Sequence, residues 1–574
     1  EQLLRGAKSA AEDGVPGSIQ SIVQARVDAL STSDKLAIQG AAILGQRFTL
    51  DKLRAVLGDN TYDCRPLIDR HLIRADGDAF LFAHALVRDG VYNSLLTPNR
   101  NRLHVKAAAC YREHDPILYA QHLDLAGDER AAKAYLQAAQ VQAQALRYES
   151  AISLSQRGLV LAVNAADICD LNGVLGDGLL NTLATEQAIE AFEIAADEAP
   201  DKPRKSKALS GLAAALRIAD RQEPALEALS EAERLATQEQ LIAELAYIHY
   251  LRGSLCFPLG RIDECMAEHD KSLKLAEEIK SPEAQARALS GLADAHYLRG
   301  HMKTACERFK ASVELCQQHG LGQLEVANLH MIGWSRLHLM EFRQALEDAL
   351  ASEAMASEVR NNRSLMFGKK LAGLMYYYLG ELELSEDYLG SAIELAKSMS
   401  SANFQAQDLR QLAMIHYRRG NPELARDCAN EALEAVRQVG MTFIGPTVLA
   451  TCAAVSDNSE ERQRLLAEAE SILDSGCVGH NQLWFADIAI DDAISRRDWQ
   501  SAERYAQRLE QFTASQPLVW SNFMIRRARA LVQANQGDAT EATIVELGVL
   551  KEQAQTSGLV ASLPELELAL GGRQ

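Results

Sequence analysis

The sequence predicts an all-α chain in which a small helix-and-hairpin module precedes a long array of paired helices. Small side chains return every 40 residues through the middle of the chain, the composition favours helix over strand, and the period is missing from the first 115 residues. Ala225, Cys265, Ala305, Ala345, Ser385 and Ala425 form one such series. A second, Ala232, Ser272, Ser312, Ser352, Ala392 and Ala432, follows seven residues later, and a third, Ala213, Gly253, Ala293, Gly333, Gly373 and Ala413, lies twelve residues before the first. Gly260, Gly300, Gly380 and Gly420 mark turns between them. Each unit reads as helix, turn, helix, with small residues where two helices cross closely; an internal period of this length is the signature of a solenoid.

At 574 residues the chain exceeds a single compact core, which a repeat architecture resolves because each unit need contact only its neighbours. Apolar residues at 47% and charged residues at 24% exclude a mainly disordered chain. With only 13 prolines and 6% aromatics, the abundance of Ala, Leu, Glu and Gln favours helices, where unbranched side chains lose little rotamer freedom.

Taken in order, residues 1–14 read as the end of an upstream helical region, and 15–115 as a small module. Ile19–Leu30 and Asp34–Leu44 are amphipathic stretches, the second capped by Ser31-Thr32-Ser33. Short helices over Leu50–Leu57 and Cys64–His71 follow, and then Leu72-Ile73-Arg74 and Ala79–Phe82 flank Asp76-Gly77-Asp78, a hairpin signal. Helices followed by a hairpin describe a winged-helix-like domain. Residues 116–200 hold irregular units, with Ala188, Phe192 and Ala195 after Gly176, and Ala151 lying 37 residues before Ala188. Six regular units occupy 201–440; 441–574 holds further units marked by Ala502 and by Ala542 after Gly537, and ends in a capping helix, Leu563–Leu570. Pro200–Pro203 and Gly440–Pro446 are the expected bends.

The repeat resembles the tetratricopeptide repeat. Leu292-Ala293 stands for the family's Leu-Gly pair, and Ala305, Phe309 and Ser312 for its Ala, aromatic and Ala positions, but the period is 40 rather than about 34. The resemblance implies a right-handed α-solenoid. The N-terminal module has its own likeness, carried by Gly14-Val15-Pro16, Ser18-Ile19-Gln20, Ala25–Leu30, Ala41–Phe48 and Phe82-Ala83-His84-Ala85-Leu86-Val87-Arg88-Asp89-Gly90-Val91-Tyr92. It resembles the segment after the nucleotide-binding domain in STAND-class signalling ATPases, most of all those fused to bacterial class III adenylate/guanylate cyclases. The resemblance implies the order cyclase, ATPase, winged helix, repeats. It also implies a nucleotide-sensing role for His84, with Arg88 in the same run, since the family's winged-helix His contacts the β-phosphate of ADP; the family's following Asp is Ala85 here.

No G-x-x-x-x-G-K-[ST], H-E-x-x-H or G-x-S-x-G occurs, so the expectation is a chain without a catalytic or metal site. ATP or ADP with Mg would belong to an upstream domain of a longer polypeptide, an expectation that the missing initiator Met at Glu1 shares. The net charge is −19, and its placement is uneven: the first 125 residues hold 15 basic and 15 acidic residues, leaving 44 of the 59 basic and 63 of the 78 acidic ones to the remainder. Such a surface repels phosphate backbones and anionic lipid, so proteins or peptides, including the chain's own ATPase domain, are the expected partners. Ten cysteines without C-x-x-C pairs read as reduced core thiols, and no apolar run approaches the roughly 18 residues of a membrane span, so a cytoplasmic protein is expected.

Three residue groups have two readings each. His84 is either the nucleotide sensor or a structural His at a strand-to-helix junction. Arg100, Arg102 and His104 either face phosphate or an acidic partner, or begin a solvated helix. Phe257, Tyr297, Tyr377 and Tyr417 share one register of the first helix, with Tyr250, Trp334 and Arg410 on the same helices; they either line a concave peptide groove or pack between units. At the level of the whole chain, the leading expectation is a sensor module of a STAND-type ATPase. The alternatives are the repeat region of a maltose-activator-like transcriptional regulator and a stand-alone peptide-binding adaptor.

Overall fold

A computed structural model of the chain describes residues 25–182, 184–219, 221–257, 259, 261–399, 401–536 and 540–571. The readings placed on 1–14, on Gly14–Gln20, on the start of the Ile19–Leu30 helix and on Gly260 and Gly537 lie outside the described residues. The chain forms two compact units, 1–219 and 220–574.

The first unit opens with α1 (Thr32–Leu44), whose cap Ser31 accepts from the Asp34 amide at 3.1 Å. Then come β1 (Arg47–Thr49), α2 (Leu50–Leu57), α3 (Arg65–Asp69), β2 (Ile73–Asp76) and β3 (Ala79–Phe82). The strands form one antiparallel sheet in the order β1-β3-β2. The expected hairpin is present, turning at Gly77 with φ 64°, a conformation glycine adopts without a Cβ penalty. β1 was not expected, because three residues are too few to show alternation; it is fixed by tertiary pairing that stacks Phe48 on Phe80 at 5.9 Å. The Cys64–His71 helix is shorter than expected, since His71 turns left-handed at φ 54°. Ile38, Phe48, Leu53, Leu67, Phe82 and Val91 fill this core.

Helices α4 (Ala85–Ser94) and α5 (Thr97–Ala109) complete the module. Six helices follow, each packed on the next: α6 (Pro116–Ala126), α7 (Ala131–Gln144), α8 (Tyr148–Leu161), α9 (Ala165–Asn181), α10 (Thr185–Asp197) and α11 (Lys202–Ile218). Gly176 lies inside α9 rather than at a turn, where a Cβ would meet the Phe192 ring at 2.8 Å. Pro200–Pro203 forms a short connection, with Asp201 capping α11 through the Arg204 amide.

The second unit comprises α12 (Gln222–Gln238), α13 (Ile242–Cys256), α14 (Ile262–Glu278), α15 (Pro282–Leu298), α16 (Met302–His319), α17 (Gly322–Leu337), α18 (Phe342–Glu358), α19 (Asn362–Leu379), α20 (Leu382–Ser398), α21 (Ala402–Arg418) and α22 (Pro422–Val439). It continues with α23 (Gly445–Val455), α24 (Ser459–Ser475), α25 (His480–Ser495), α26 (Trp499–Thr513), α27 (Val519–Gln536), α28 (Glu541–Ser557) and, after a single 3₁₀ turn, α29 (Leu563–Gly571).

The 40-residue series are the helix crossings. Their side chains are buried throughout, and three of the four serines also tie neighbouring helices together. Ser272 donates to the Ala246 carbonyl at 2.8 Å, Ser312 to Ala286 at 2.9 Å, and Ser385 to Gly373 at 2.7 Å. At Gly333 a Cβ would lie 3.0 Å from the Ala345 carbonyl oxygen, so glycine permits the backbones to approach. The turn series holds too: Gly300, Gly380 and Gly420 have φ of 81°, 87° and 76°, and Met340, in the same register, is forced to 60° without being glycine.

Candidate functional site

The aromatic register of the first helices is where the second unit meets itself. Tyr297, Trp334 and Tyr377 are 4%, 5% and 5% exposed, and Arg410 is 5% exposed. Tyr297 meets the His480 ring at 6.0 Å, Trp334 meets Trp484 at 5.7 Å, and the Arg410 guanidinium lies over Trp484 at 5.3 Å. These residues therefore do not line an open groove, as one sequence reading expected: α25 and α27 of the C-terminal repeats cover them. Phe257 is half-buried against Val478 and its neighbours. Tyr250 packs on Tyr247 and His269, and Tyr417, 41% exposed, stays at the surface. Burying so much ring area is favourable, about 2–3 kcal/mol for a large side chain moved out of water, and that explains the closure without a ligand.

Polar contacts hold the seat in register. His301 bonds Ser515 at 3.0 Å, Gln516 accepts from the Lys303 amide and donates to Thr304, and the Trp520 amide donates to the His338 carbonyl at 3.2 Å. Gly479 rests directly on the Leu298 carbonyl, where any Cβ would collide.

Beneath this seat lies a cavity of about 30 Å³ bounded by Tyr377, Tyr378, Arg410, Gln411, Trp484, Asp487, Asp491 and Trp520. Its residues come from α19, α21, α25 and α27, with Ser562 of the 3₁₀ turn closing one side. Asp491 pairs with Arg527, which also donates to Ser562 at 2.8 Å. Asp487 accepts from the Tyr378 hydroxyl at 3.4 Å. Burial, reinforced by the like charge of Asp491, pushes the Asp487 carboxyl up to about 7, whereas burial pulls the Arg410 guanidinium down. Arg418 stands at the exposed rim, stacked on Tyr377 at 4.2 Å.

Arg410 and Tyr377 were singled out from the sequence; Trp484, Asp487, Asp491, Trp520 and Arg527 were not. They lie beyond residue 440, where the 40-residue register is lost. The available signal was Trp484-Phe485-Ala486-Asp487-Ile488-Ala489-Ile490-Asp491, a carboxylate pair one helical turn apart in an otherwise apolar run. A larger cavity, about 170 Å³, lies beside Arg252 and Glu268, but its charges are already matched: Arg252 pairs with Glu233 at 2.7 Å and Glu268 with Lys271 at 2.7 Å.

In the first unit, His84 is the exposed N-cap residue of α4 and its side chain makes no capping bond. Arg88, one turn on, donates to the Ala42 carbonyl at 3.2 Å and pairs with Asp89. His104 does not join Arg100 and Arg102 in a surface cluster: it is buried, bonded to the Tyr92 hydroxyl and to His122 at 2.9 Å each. Burial holds its imidazole near pKa 4, hence neutral. Among the described residues, no group of three or more His, Cys, Asp or Glu could hold a metal ion, and no helix is long and apolar enough to cross a membrane.

Paired helices crossing at small residues place both helical-repeat regions in the tetratricopeptide-like class. No protein-family model matches the chain, and no curated protein sequence matches it. Among solved structures, the chain is similar to a Signal Transduction ATPase with Numerous Domains (STAND) protein with a tetratricopeptide repeat sensor from Pyrococcus horikoshii. The TM-score is 0.51 at 14% identity, over 75% of this chain and 66% of that one, so the chain spans about two thirds of that protein's length. It is also similar to a Rap protein complexed with Competence and Sporulation Factor (TM-score 0.45, 13% identity, 67% and 98% covered) and to NprR in complex with its cognate peptide NprX (0.41, 16%, 59% and 98%). At these identities the likeness establishes the fold alone.

Proposed function

We propose that the chain is the sensor and partner-binding part of a STAND-type signalling ATPase, one that controls a class III adenylate/guanylate cyclase. The observation that carries the reading is the succession, in one unit, of a small module of helices and a three-stranded sheet and then stacked helices. The likeness to a STAND protein with a repeat sensor supports it. In this proposal the repeats receive a protein or peptide effector, for which their acidic surface favours a basic or neutral partner over nucleic acid. The N-terminal module relays that state to an upstream ATPase domain holding ATP or ADP with Mg. In this proposal the exposed His84 imidazole supplies a hydrogen-bond donor to the diphosphate. Arg88 is engaged by Ala42 and Asp89, so its part is to position α4 rather than to bind phosphate.

The test is made in the parent polypeptide. Deleting residues 116–574 is expected to change basal ATPase and cyclase activity, and His84→Ala to change ADP retention. Unchanged activity after the deletion would overturn the reading in favour of a peptide-binding adaptor, and a basic DNA-binding domain in the same polypeptide would favour the transcriptional regulator.

A further inference from the structure

Four buried N–H donors without an acceptor belong to side chains that line the 30 Å³ cavity of the second unit. They are Arg410 Nε, Gln411 Nε2, Trp484 Nε1 and Trp520 Nε1, on side chains 5%, 4%, 3% and 2% exposed. None finds a protein acceptor among the described residues, although buried polar groups are nearly always satisfied and each orphan costs about 1–3 kcal/mol. The acceptors in the lining are bonded elsewhere, and none is bonded to these four donors. The Gln411 carbonyl already accepts from Arg410 at 3.1 Å, Asp491 is held by Arg527, and Asp487 by Tyr378. The charges are unequal in the same sense. Asp491 is offset by Arg527, while Arg410, deep in the cavity, and Arg418, at its rim, have no carboxylate in ion-pair contact among the described residues. With Arg527, the site holds three arginines against the two carboxylates Asp487 and Asp491, and four N–H donors without an acceptor.

From this geometry we infer that the cavity lined by Arg410, Gln411, Trp484 and Trp520 binds the carboxylate group of a small organic acid. A carboxylate supplies two oxygens with about four acceptor sites, matching four donors. The volume admits that head and little more, so the rest of the ligand extends past Arg418 to the rim. Since the residues come from regular repeats and from the C-terminal helices seated on them, the acid would clamp α21 to α25 and α27. This deepens the sensor reading and rests on it by naming what the second unit senses, but direct binding is measured independently of any ATPase.

The experiment titrates the complete chain with acetate, succinate and glutamate, and with a short peptide carrying either a free or an amidated C-terminus, following tryptophan emission and thermal stability. A small acid is expected to shift both. Trp484→Phe and Trp520→Phe keep an aromatic ring and remove one donor, so each should weaken binding about 5- to 10-fold, and Arg410→Gln by more than about 10-fold. Binding of the free-ended peptide but not of the small acids would overturn the assignment in favour of a chain terminus. No response to any probe, or binding indifferent to all three substitutions, would show that solvent water satisfies the donors and would sink the proposal. A failure here with the deletion experiment still positive would leave the sensor reading standing.

Discussion

Gly479 and Leu298 approach so closely that one hydrogen in place of a methyl group decides whether α25 can sit on the end of α15. The φ of Gly479, −59°, is open to any residue, so the requirement is steric and not conformational. Gly479→Ala is expected to destabilise the second unit by about 1–3 kcal/mol through overpacking, read as a lower denaturation midpoint. An unchanged midpoint would mean that the seat can move at no cost. Asp487 gives a prediction with a sign in pH. Its carboxyl lies at about 7 in the fold against an ordinary 3.8, so the fold penalises the charged form; the penalty is absent below about 3.8, grows as the pH rises and is complete above about 7. Asp487→Asn, which still accepts from Tyr378, should therefore be more stable than the parent at pH 8. The advantage should shrink at pH 5, as measured by urea unfolding at both. An equal difference at the two values would refute the assignment.

At the scale of the element, the turns obey the register more strictly than the residues do. Gln240, Lys280, Gly320 and Arg360 end successive second helices at φ of 54°, 52°, 67° and 54°, yet only one is glycine. The stacking of units imposes the left-handed turn, and the sequence complies where it can. A non-glycine residue there costs about 1 kcal/mol, so Arg360→Gly, at an exposed position, should stabilise the chain by about 0.5–1 kcal/mol. Met340→Gly should do the opposite, because Met340 is buried and its lost packing, about 2 kcal/mol, outweighs the relieved turn. Calorimetry of the two variants checks both signs. Ser272, Ser312 and Ser385 show why small polar residues interrupt an Ala series: each hydroxyl satisfies itself on a neighbouring helix's carbonyl, which fixes the crossing as well as permitting it.

At the scale of the whole molecule, the C-terminal repeats act as the cover of the aromatic face of the regular ones within the second unit. Removing 441–574 would expose Tyr297, Trp334 and Tyr377 together, an apolar patch of the kind monomers avoid. The truncated chain is expected to bind a hydrophobic dye or to self-associate and to lose a single cooperative melt; a monomeric, dye-silent, cooperatively melting product would contradict the cover. By itself the sequence determined the helical repeat, its crossings and its turns, because these depend on local spacing: a small residue every 40 positions has one structural use. It also located the hairpin and His84, where turn chemistry is local. Tertiary structure alone decided β1, the burial of His104 against His122, and the closure that turns groove candidates into core. It likewise assembled Arg410, Trp484, Asp487 and Trp520 around one cavity. The contacts of that closure join residues roughly 75 to 215 positions apart, and spacing along a chain carries no information about which distant faces will exclude water together.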